Sequence, residues 1–240
     1  MSATLLLSDL HLPAQPSPLR DAFIAFLEGP ARQAAGVYIL GDLFEYWIGD
    51  DIGLQLYARE VSRLAALSAL GVPVHFMRGN RDFLVGRHFA LITGATILRD
   101  PVIVELGGQP TLLSHGDLWC TQDEKYQHWR RFSRNPVAQW LFLRLPRALR
   151  ERIAGGVRAR SGANKMDKPA EIMDVDDDAV RAAFPQARVQ RIIHGHTHRP
   201  ARHHYRIGER DCERVVLADW TTQRMEYLRV DGATIERVPV

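Results

Sequence analysis

The chain has 240 residues, 46% of them hydrophobic and 25% charged, and a formal net charge of +3, which is typical of a globular protein with one substantial core or a core and a subdomain. No 18 apolar residues run together, and the first residues lack a basic region followed by an apolar run, so we expect neither a membrane span nor export. The cysteines Cys120 and Cys212 have no CxxC spacing, and we expect both to be reduced, as in a cytoplasm.

Short segments rich in leucine or β-branched residues, each bounded by Gly, Pro or Asp, predict buried strands. They span residues 4–8, 37–40, 72–77, 102–106, 111–114 and 189–193. Helical periodicity over residues 19–35 and 54–70 separates several of them, and this alternation predicts an α/β sheet in one main domain, residues 1–240. Further along, hairpin-like alternation predicts strands at 202–207, 213–218, 224–230 and 234–238. Asp231-Gly232 is the turn signal between the last two.

Residues 120–187 interrupt the alternation and predict an inserted helical segment. Within it, Asn135 followed by Pro136 is typical of a helix N-cap and first helical position. The helix that they open is more apolar over residues 140–145 than one core-facing stripe requires. Its apolar surface is either packed on the main domain or exposed to a lipid or a partner.

The segment 120–168 is strongly basic. It contains 12 Lys or Arg residues and four acidic residues, so it carries +8 while the rest of the chain carries −5. Such a segment suits nucleic acid, anionic lipid headgroups or a phosphorylated substrate, or it is a solvated face.

Five short polar segments each follow a predicted strand. They are Asp9-Leu10-His11, Gly41-Asp42, Gly79-Asn80-Arg81-Asp82, His115-Gly116-Asp117 and His194-Gly195-His196-Thr197-His198. Ligands of open α/β sheets bind beyond the carboxyl ends of the strands, so we expect these segments to converge there on divalent cations. In an extended backbone, Asp9 and His11 would point to one side, as would His196 and His198. The adjoining glycines would let the backbone approach closely.

This ordered set of motifs resembles the calcineurin-like metallophosphoesterase superfamily over most of the chain. The resemblance implies an α/β sandwich of two mixed sheets flanked by helices, with the insertion as a lid. It implies two divalent ions, the first bound by Asp9, His11 and His198, the second by Asn80, His115 and His196, with Asp42 bridging both. A water activated between the two ions would be the nucleophile. The donor atoms suit Mn²⁺, with iron or zinc as competitors.

Arg81 departs from the protein phosphatases of that superfamily, which have a histidine at this position to assist a leaving alkoxide. A departing phosphate monoester, with a second pKa of about 6, does not need that proton. Arginine can instead hold a phosphate group in bidentate fashion. This difference favours a diphosphate over a phosphoserine substrate. The resemblance implies that Asn80, Arg81 and His196 contact the diphosphate and act in catalysis.

The segment from Gly41 to Asp51, GDLFEYWIGDD, resembles the UDP-2,3-diacylglucosamine diphosphatase family of the lipid A pathway. Residues 77–83, 115–117 and 171–175 support the resemblance. It implies hydrolysis of UDP-2,3-diacylglucosamine at the α-phosphorus to UMP and 2,3-diacylglucosamine 1-phosphate (lipid X). The enzyme would be peripheral on the cytoplasmic face of the inner membrane, and we expect a monomer.

Further substrate contacts in that family come from the insertion. The matching positions here are Asp123, Ser161, Asn164, Lys165 and Lys168. The spacing leaves open whether Asn164 or Lys165 makes the central contact. Asp123 is alternatively a first-turn helix acid, and the lysines are alternatively solvated.

Asp82 and Asp117 are candidates for orienting Arg81 and His115 respectively, with turn-forming roles as the alternative.

Other functions fit the sequence less well. A general or cyclic-nucleotide phosphodiesterase would not need the apolar insertion, and a metal-binding module without turnover would not need every ligand position filled. A nucleic-acid phosphodiesterase would need stacking aromatic residues, whereas the aromatic residues here cluster with Leu and Val, so we expect no nucleic-acid partner.

Overall fold

The computed structural model describes residues 2–167 and 174–240, with the backbone alone over 158–167. Within these residues, eleven strands form two mixed sheets. The strands are β1 (Thr4–Leu7), β2 (Gly36–Leu40), β3 (Val74–Met77), β4 (Thr96–Leu98), β5 (Val102–Leu106), β6 (Gln109–Ser114), β7 (Arg191–His194), β8 (Ala201–Ile207), β9 (Arg210–Val216), β10 (Glu226–Asp231) and β11 (Thr234–Pro239).

The first sheet has the order β11-β10-β1-β2-β3-β4, and the second has the order β5-β6-β7-β9-β8. In the first, β1 to β4 are parallel and the β10–β11 hairpin is antiparallel to β1. In the second, β6, β7 and β9 are parallel, while β5 and β8 pair antiparallel at the edges. Parallel strands therefore form the centre of both sheets.

The helices that the structure describes are α1 (Pro18–Glu28), α2 (Asp50–Leu56), α3 (Ala58–Ala69), α4 (Arg87–Thr93), α5 (Glu124–Ser133), α6 (Pro136–Leu143), α7 (Arg147–Asp167) and α8 (Asp177–Ala187). The helix predicted over residues 19–35 ends at Glu28, because Gly29-Pro30 interrupts it and a 3₁₀ turn follows. The pattern over residues 54–70 belongs to two helices that meet at Tyr57, which is non-helical (φ −116°, ψ 31°).

The predicted two-sheet sandwich is confirmed. The apolar core between the sheets joins side chains of both, such as Leu6 and Met77 from the first and Leu113 and Ile193 from the second. A second apolar cluster fills the space between the first sheet and helices α1, α3 and α4. A third lies between α8 and the second sheet. These three apolar layers account for the helix–sheet–sheet–helix arrangement.

Every strand predicted from the sequence is present, with ends shifted by at most three residues, whereas β4 and α4 were not predicted. The three residues of β4 are too few to show alternation. Asn135 caps α6 as predicted, because its carboxamide oxygen accepts hydrogen bonds from the backbone N–H groups of Val137 and Ala138 at 2.9 and 3.2 Å.

Residues 120–187 divide between two environments. Helix α8, at the end of this range, buries Val180 and Phe184 against the second sheet and so belongs to the sandwich. Helices α5 to α7 expose much of their apolar surface. A buried Arg150 anchors α7 beside α2, since its guanidinium donates to the Ile48 carbonyl at 2.7 Å and pairs with Asp51.

Candidate metal centre

The first predicted ligand set converges at the carboxyl ends of β1 and β7. The Nε2 atoms of His11 and His198 lie 3.2 Å apart. The Asp9 Oδ1 atom is 3.6 Å from the Nε2 atom of His198 and 4.0 Å from that of His11. One carboxylate oxygen and two imidazole nitrogens therefore face a common point, as three ligands of one cation would.

The second predicted set lies beside the first. The His115 Nε2 atom is 3.0 Å from the amide oxygen of Asn80 and 3.8 Å from Asp42 Oδ1. The imidazole ring of His196 lies 5.0 Å from that of His115. Ligand atoms of Asp9, Asp42 and His115 also lie within 4.8 Å of one another, so the two sets share one cluster with the aspartates at its centre. The structure thus brings together all seven predicted ligands.

The backbone is left-handed at five of the seven predicted ligands, and the extended geometry predicted for Asp9 to His11 and His196 to His198 is wrong. Their φ angles are +57° and +46° in the first pair and +70° and +57° in the second, and Asp42 has +52°. Among the described residues, only one further non-glycine residue, Arg188, has positive φ. The strands end before the ligands, and tight loops then direct the side chains inward, at a cost of about 1–3 kcal/mol for each such residue.

Two glycines allow these loops to pack closely, as predicted. A Cβ atom on Gly79 would overlap the backbone nitrogen and carboxylate of Asp42. A Cβ atom on Gly195 would overlap Ser8 and the Asp9 carboxylate. Because the Asp9 carboxylate also accepts the His196 backbone N–H at 2.7 Å, a larger residue at 195 would displace a ligand.

The charges of the cluster are strongly coupled. Burial raises the pKa of Asp42 to about 7. Burial opposes protonation of His115, but the carboxylates of Asp42 and Asp9 outweigh it and raise the pKa of this imidazole to about 9. Burial likewise opposes ionisation of Asp9, yet His198, His115 and His11 hold its pKa below the ordinary value. Protons thus balance the buried carboxylates, and a bound cation would take over that role.

The donor atoms fit divalent cations. Asp9 is fully buried, and its Oδ1 atom has no hydrogen-bond donor among the described residues although it faces two imidazoles. A buried carboxylate oxygen without a donor is costly unless a cation compensates it. Two carboxylates, four imidazoles and an amide oxygen, without a thiolate, are ligands that Mn²⁺, Fe²⁺ and Zn²⁺ accept.

The outer aspartates do not contact the residues predicted for them. The Asp82 carboxylate accepts backbone N–H groups of Leu43 and Gly79, both at 2.8 Å, rather than contacting the guanidinium of Arg81. It therefore fastens the loop after β2 to the loop after β3. His115, expected to face Asp117, instead places its Nδ1 atom 2.9 Å from the carbonyl oxygen of Leu40.

Asp117 is the centre of a buried network that includes helix α5. Its Oδ2 atom accepts the Tyr126 hydroxyl at 2.7 Å and lies 3.0 and 3.1 Å from the guanidinium groups of Arg130 and Arg134. Burial raises the pKa of Asp117, but Arg134, His115 and Arg130 outweigh it and keep that pKa below the ordinary value. The Tyr126 ring stacks on the His196 imidazole with centroids 5.9 Å apart, so α5 borders the cluster of predicted ligands.

Arg81 lies beside the cluster and is half-buried, as are the predicted ligands Asn80 and His196. Arg81 donates its backbone N–H to Asp42 Oδ1 at 2.7 Å, and its guanidinium lies 3.1 Å from a carboxylate oxygen of Glu45. The other Glu45 oxygen is 3.8 Å from the Nδ1 atom of His11. Glu45 therefore connects the predicted phosphate clamp to a predicted metal ligand.

The residues predicted to contact the rest of the substrate are less fully described. Asp123 caps α5, accepting the backbone N–H of Tyr126 at 3.1 Å, which agrees with its alternative interpretation as a residue of the helix start. Ser161, Asn164 and Lys165 lie in α7, where the structure describes the backbone only. Lys168 lies outside the described residues.

Sequence reasoning missed two carboxylates next to the cluster, Glu45 and Asp219. The Asp219 Oδ2 atom is 3.5 Å from the Nδ1 atom of His198. Its position just after the predicted strand 213–218 was the available signal, because the predicted ligands also follow strands.

Cys120 is a buried free thiol whose pKa burial raises to about 12, so it is unsuited to act as a nucleophile.

Comparison with known proteins identifies similar chains. Residues 3–200 match the family model described as calcineurin-like phosphoesterase. The UDP-2,3-diacylglucosamine hydrolase of Aromatoleum aromaticum is 47% identical, over 97% of this chain and 94% of that protein. Proteins of the same name from Edwardsiella ictaluri and Escherichia coli O81 are 46% and 45% identical, over 98% and 92% of this chain and 91% and 92% of their own lengths.

Proposed function

The chain belongs to the calcineurin-like phosphoesterase family, and from this premise we propose that it is a UDP-2,3-diacylglucosamine hydrolase of lipid A biosynthesis. It cleaves the diphosphate bond of its substrate to UMP and 2,3-diacylglucosamine 1-phosphate. The observation that carries the proposal is the convergence of the seven predicted metal ligands at one edge of the sandwich, five of them in left-handed loops. Similarity above 40% to hydrolases of that name, over nearly the whole chain, supports the substrate assignment.

The ligands divide into two ion sites. Asp9, His11 and His198 would hold one divalent ion, Asn80, His115 and His196 the other, and Asp42 would bridge them. When bound, the ions supply Lewis-acid stabilisation of phosphate charge and activation of a water for attack at the α-phosphorus. Mn²⁺ is the ion that we propose, because oxygen and imidazole donors without sulfur suit it. His115 must release its proton before it can bind an ion, so a rise in pH favours loading.

Arg81 is the residue that we assign to the diphosphate. Its guanidinium lies beside the cluster and is already ordered by Glu45, so binding of a phosphate there costs little further conformational freedom. It neutralises charge on the departing phosphate without donating a proton. Asn80 and His196, which are also half-buried, contact the diphosphate with it.

Helices α5 to α7 act as the lid of the site. Tyr126 and Arg134 connect α5 to the cluster through Asp117, and Arg150 connects α7 to α2. The exposed apolar side chains on these helices hold the two acyl chains. Asp123, Ser161, Lys168 and either Asn164 or Lys165 contact the glucosamine and nucleotide portions.

The same helices bring the enzyme to its lipid substrate. Among the described residues, no helix combines the length and the apolar character that crossing a bilayer requires. We propose peripheral association of a monomer with the cytoplasmic face of the inner membrane, through apolar side chains supported by the basic charge of residues 120–168. Nucleic acid is not a partner in this proposal.

The test compares three substrates: UDP-2,3-diacylglucosamine, UDP-N-acetylglucosamine and bis-p-nitrophenyl phosphate. Metal-stripped protein is reloaded in turn with Mn²⁺, Mg²⁺ and Zn²⁺, and UMP or p-nitrophenol release is followed. We expect rapid release of UMP from the diacylated substrate, highest with Mn²⁺, and loss of at least about 10³-fold in Asp42→Ala because both ions lose a shared ligand. Equal or better cleavage of the small diester would contradict the lipid substrate while leaving the metal chemistry intact.

A further inference from the structure

A loop that follows β9 runs along the ligand loops of the metal cluster. At its start, the Leu217 backbone N–H donates to the His194 carbonyl at 2.7 Å. Near its end, the Trp220 backbone N–H donates to the Asp9 carbonyl at 3.0 Å. Asp219 lies between these two anchor points, so its side chain has a defined position relative to the ligands.

The Asp219 carboxylate faces the outer nitrogen of a predicted ligand. Its Oδ2 atom is 3.5 Å from His198 Nδ1, while the Nε2 atom of the same ring is 3.6 Å from Asp9 Oδ1 and 3.2 Å from His11 Nε2. One ring nitrogen therefore faces the cation site and the other faces a carboxylate. A carboxylate in this place keeps the proton of a neutral imidazole on Nδ1 and leaves the lone pair of Nε2 for a cation.

Asp219 is itself held by a second residue. The Arg224 guanidinium pairs with Asp219 Oδ1 and also approaches the Asp219 carbonyl at 3.4 Å. Thr221 and Arg224 close a tight turn through backbone hydrogen bonds of 2.8 and 3.2 Å. Because Arg224 takes one oxygen, the other oxygen of the carboxylate is directed to His198.

In the part of the chain that the structure describes, no carboxylate faces the outer nitrogen of His115, the corresponding histidine of the second ligand set. The outer nitrogen of His115 faces the neutral backbone carbonyl of Leu40 at 2.9 Å. Removing the Asp219 carboxylate would therefore change the environment of the first set only. The contact of His198 with Asp219 can be removed by mutating a side chain, whereas the contact of His115 with the backbone carbonyl of Leu40 cannot.

We propose that Asp219, held by Arg224, is a positioning residue that fixes the orientation and tautomer of His198 and thereby strengthens cation binding at Asp9, His11 and His198. The inference rests on the metal centre of the proposed function and is independent of the lipid substrate. Mutation of a residue that orients a metal ligand in this way typically weakens metal affinity by about 10- to 100-fold.

The experiment measures metal binding without substrate. Metal-free protein is titrated with Mn²⁺, free Mn²⁺ is quantified by its electron paramagnetic resonance signal, and two stepwise dissociation constants are fitted. His198→Ala and His115→Ala identify which constant belongs to which site. We expect Asp219→Ala to raise the dissociation constant of the His198 site by about 10- to 100-fold and to leave that of the His115 site within about threefold.

Three further variants make the result decisive. Asp219→Asn retains an oxygen acceptor and should lose less Mn²⁺ affinity than Asp219→Ala. The control is Asp211→Ala, which removes an exposed carboxylate paired with Arg206 and should leave Mn²⁺ affinity unchanged. If Asp219→Ala does not fold, Asp219→Asn and Arg224→Ala replace it in the titration. Each should weaken Mn²⁺ binding at the His198 site alone, by less than the change expected for Asp219→Ala. Unchanged binding, equal weakening of both sites, or an Asn variant no better than Ala would overturn the proposal. A different substrate specificity would leave these binding constants untouched.

Discussion

Five residues of the candidate metal centre have a left-handed backbone, a conformation that residues other than glycine rarely adopt. Asp9, His11, Asp42, His196 and His198 all have φ between +46° and +70°. Each such residue costs about 1–3 kcal/mol, so the surrounding contacts must hold the loops in place. The loops are held by hydrogen bonds between chain segments, for example from the His11 backbone N–H to the Asp42 carbonyl at 3.0 Å.

Asp82 is the side chain that contributes most visibly to this support. Fully buried, it accepts the backbone N–H groups of Leu43 and Gly79 at 2.8 Å and that of Asp42 at 3.3 Å. These contacts join the two loops that carry Asp42 and Asn80. The carboxylate replaces the water molecules that such N–H groups would otherwise bind.

Replacing Asp82 with alanine should destabilise the protein and impair metal loading together. Because buried N–H groups would lose their acceptor, we expect the free energy of unfolding to fall by about 2–4 kcal/mol, measured by urea denaturation. Asp82→Asn, which keeps one oxygen acceptor, should lose less, and the exposed Asp211→Ala should change stability by less than about 0.5 kcal/mol. Wild-type stability in Asp82→Ala would show that the carboxylate does not support the loops.

At the scale of elements, the second sheet contains an ionic triad across three neighbouring strands, in which two members are buried and the third, Arg202, is exposed. Glu213 on β9 lies 2.6 Å from the Arg191 guanidinium on β7 and 2.5 Å from that of Arg202 on β8. Burial raises the pKa of Glu213, but the hydrogen bonds and charges of the two arginines outweigh it, and the net pKa lies below the ordinary value. The ionised carboxylate therefore stabilises the folded state.

Glu213→Gln should lower stability in a pH-dependent way. Because one partner of a buried pair is removed, we expect the free energy of unfolding at pH 7 to fall by about 3 kcal/mol in urea denaturation. The folded-state pKa is depressed, so the contribution is full above the ordinary pKa of 4.5 and is lost as the pH falls through the folded-state value. The difference between wild type and variant should therefore shrink below about pH 4.

A matched control for this variant is Glu236→Gln, which removes an exposed carboxylate paired with Arg229 on the β10–β11 hairpin. We expect it to change stability by less than about 1 kcal/mol, because solvent screens exposed pairs. A difference between wild type and Glu213→Gln that stays constant from pH 7 to pH 3 would contradict the ionic explanation.

Across the whole molecule, exposed apolar surface and positive charge are concentrated in the same helices. Nine of the fourteen large hydrophobic side chains that are exposed in the described part of the chain lie on α5 to α7. They are Trp129, Phe132, Val137, Trp140, Leu141, Leu143, Leu149, Ile153 and Val157. Residues 120–168 carry +8 against −5 for the remainder, which favours an anionic, lipid-containing substrate surface.

Trp140→Ser combined with Leu141→Ser should separate lipid recognition from chemistry. These side chains are 53% and 55% exposed, so the fold should tolerate the change. With less apolar surface for acyl chains, we expect kcat/KM for the diacylated substrate in mixed micelles to fall by about tenfold or more, and hydrolysis of bis-p-nitrophenyl phosphate to stay unchanged. Sedimentation with anionic vesicles should also decrease.

The control for that variant is Leu91→Ser with Ile92→Ser on α4, where the side chains are 66% and 51% exposed outside the insertion. It should affect neither substrate. Equal losses in the two double variants would assign the effect to general surface hydrophobicity and contradict a specific role of α6.

The sequence by itself predicted ten of the strands and an α/β sheet, because alternation and apolar runs are local signals. The two-sheet sandwich and the full set of metal ligands followed from the resemblance of its glycine-flanked motifs to a known family. Asp9, Asp42, Asn80, His115 and His196 all follow predicted strands, and parallel strands bring their ends together. Helix α4 and strand β4 escaped prediction because seven and three residues carry too little periodicity.

Only the tertiary structure decided which groups surround the ligands. Asp82 joins two loops about 40 residues apart, Asp117 pairs with side chains of α5 instead of with His115, and Asp219 reaches His198 from the loop after β9. The left-handed backbone of the ligands also required the structure, since sequence spacing favoured an extended one. The physical reason is that these contacts are made between segments distant in the chain, whose approach depends on how both sheets pack and not on the residues beside each ligand.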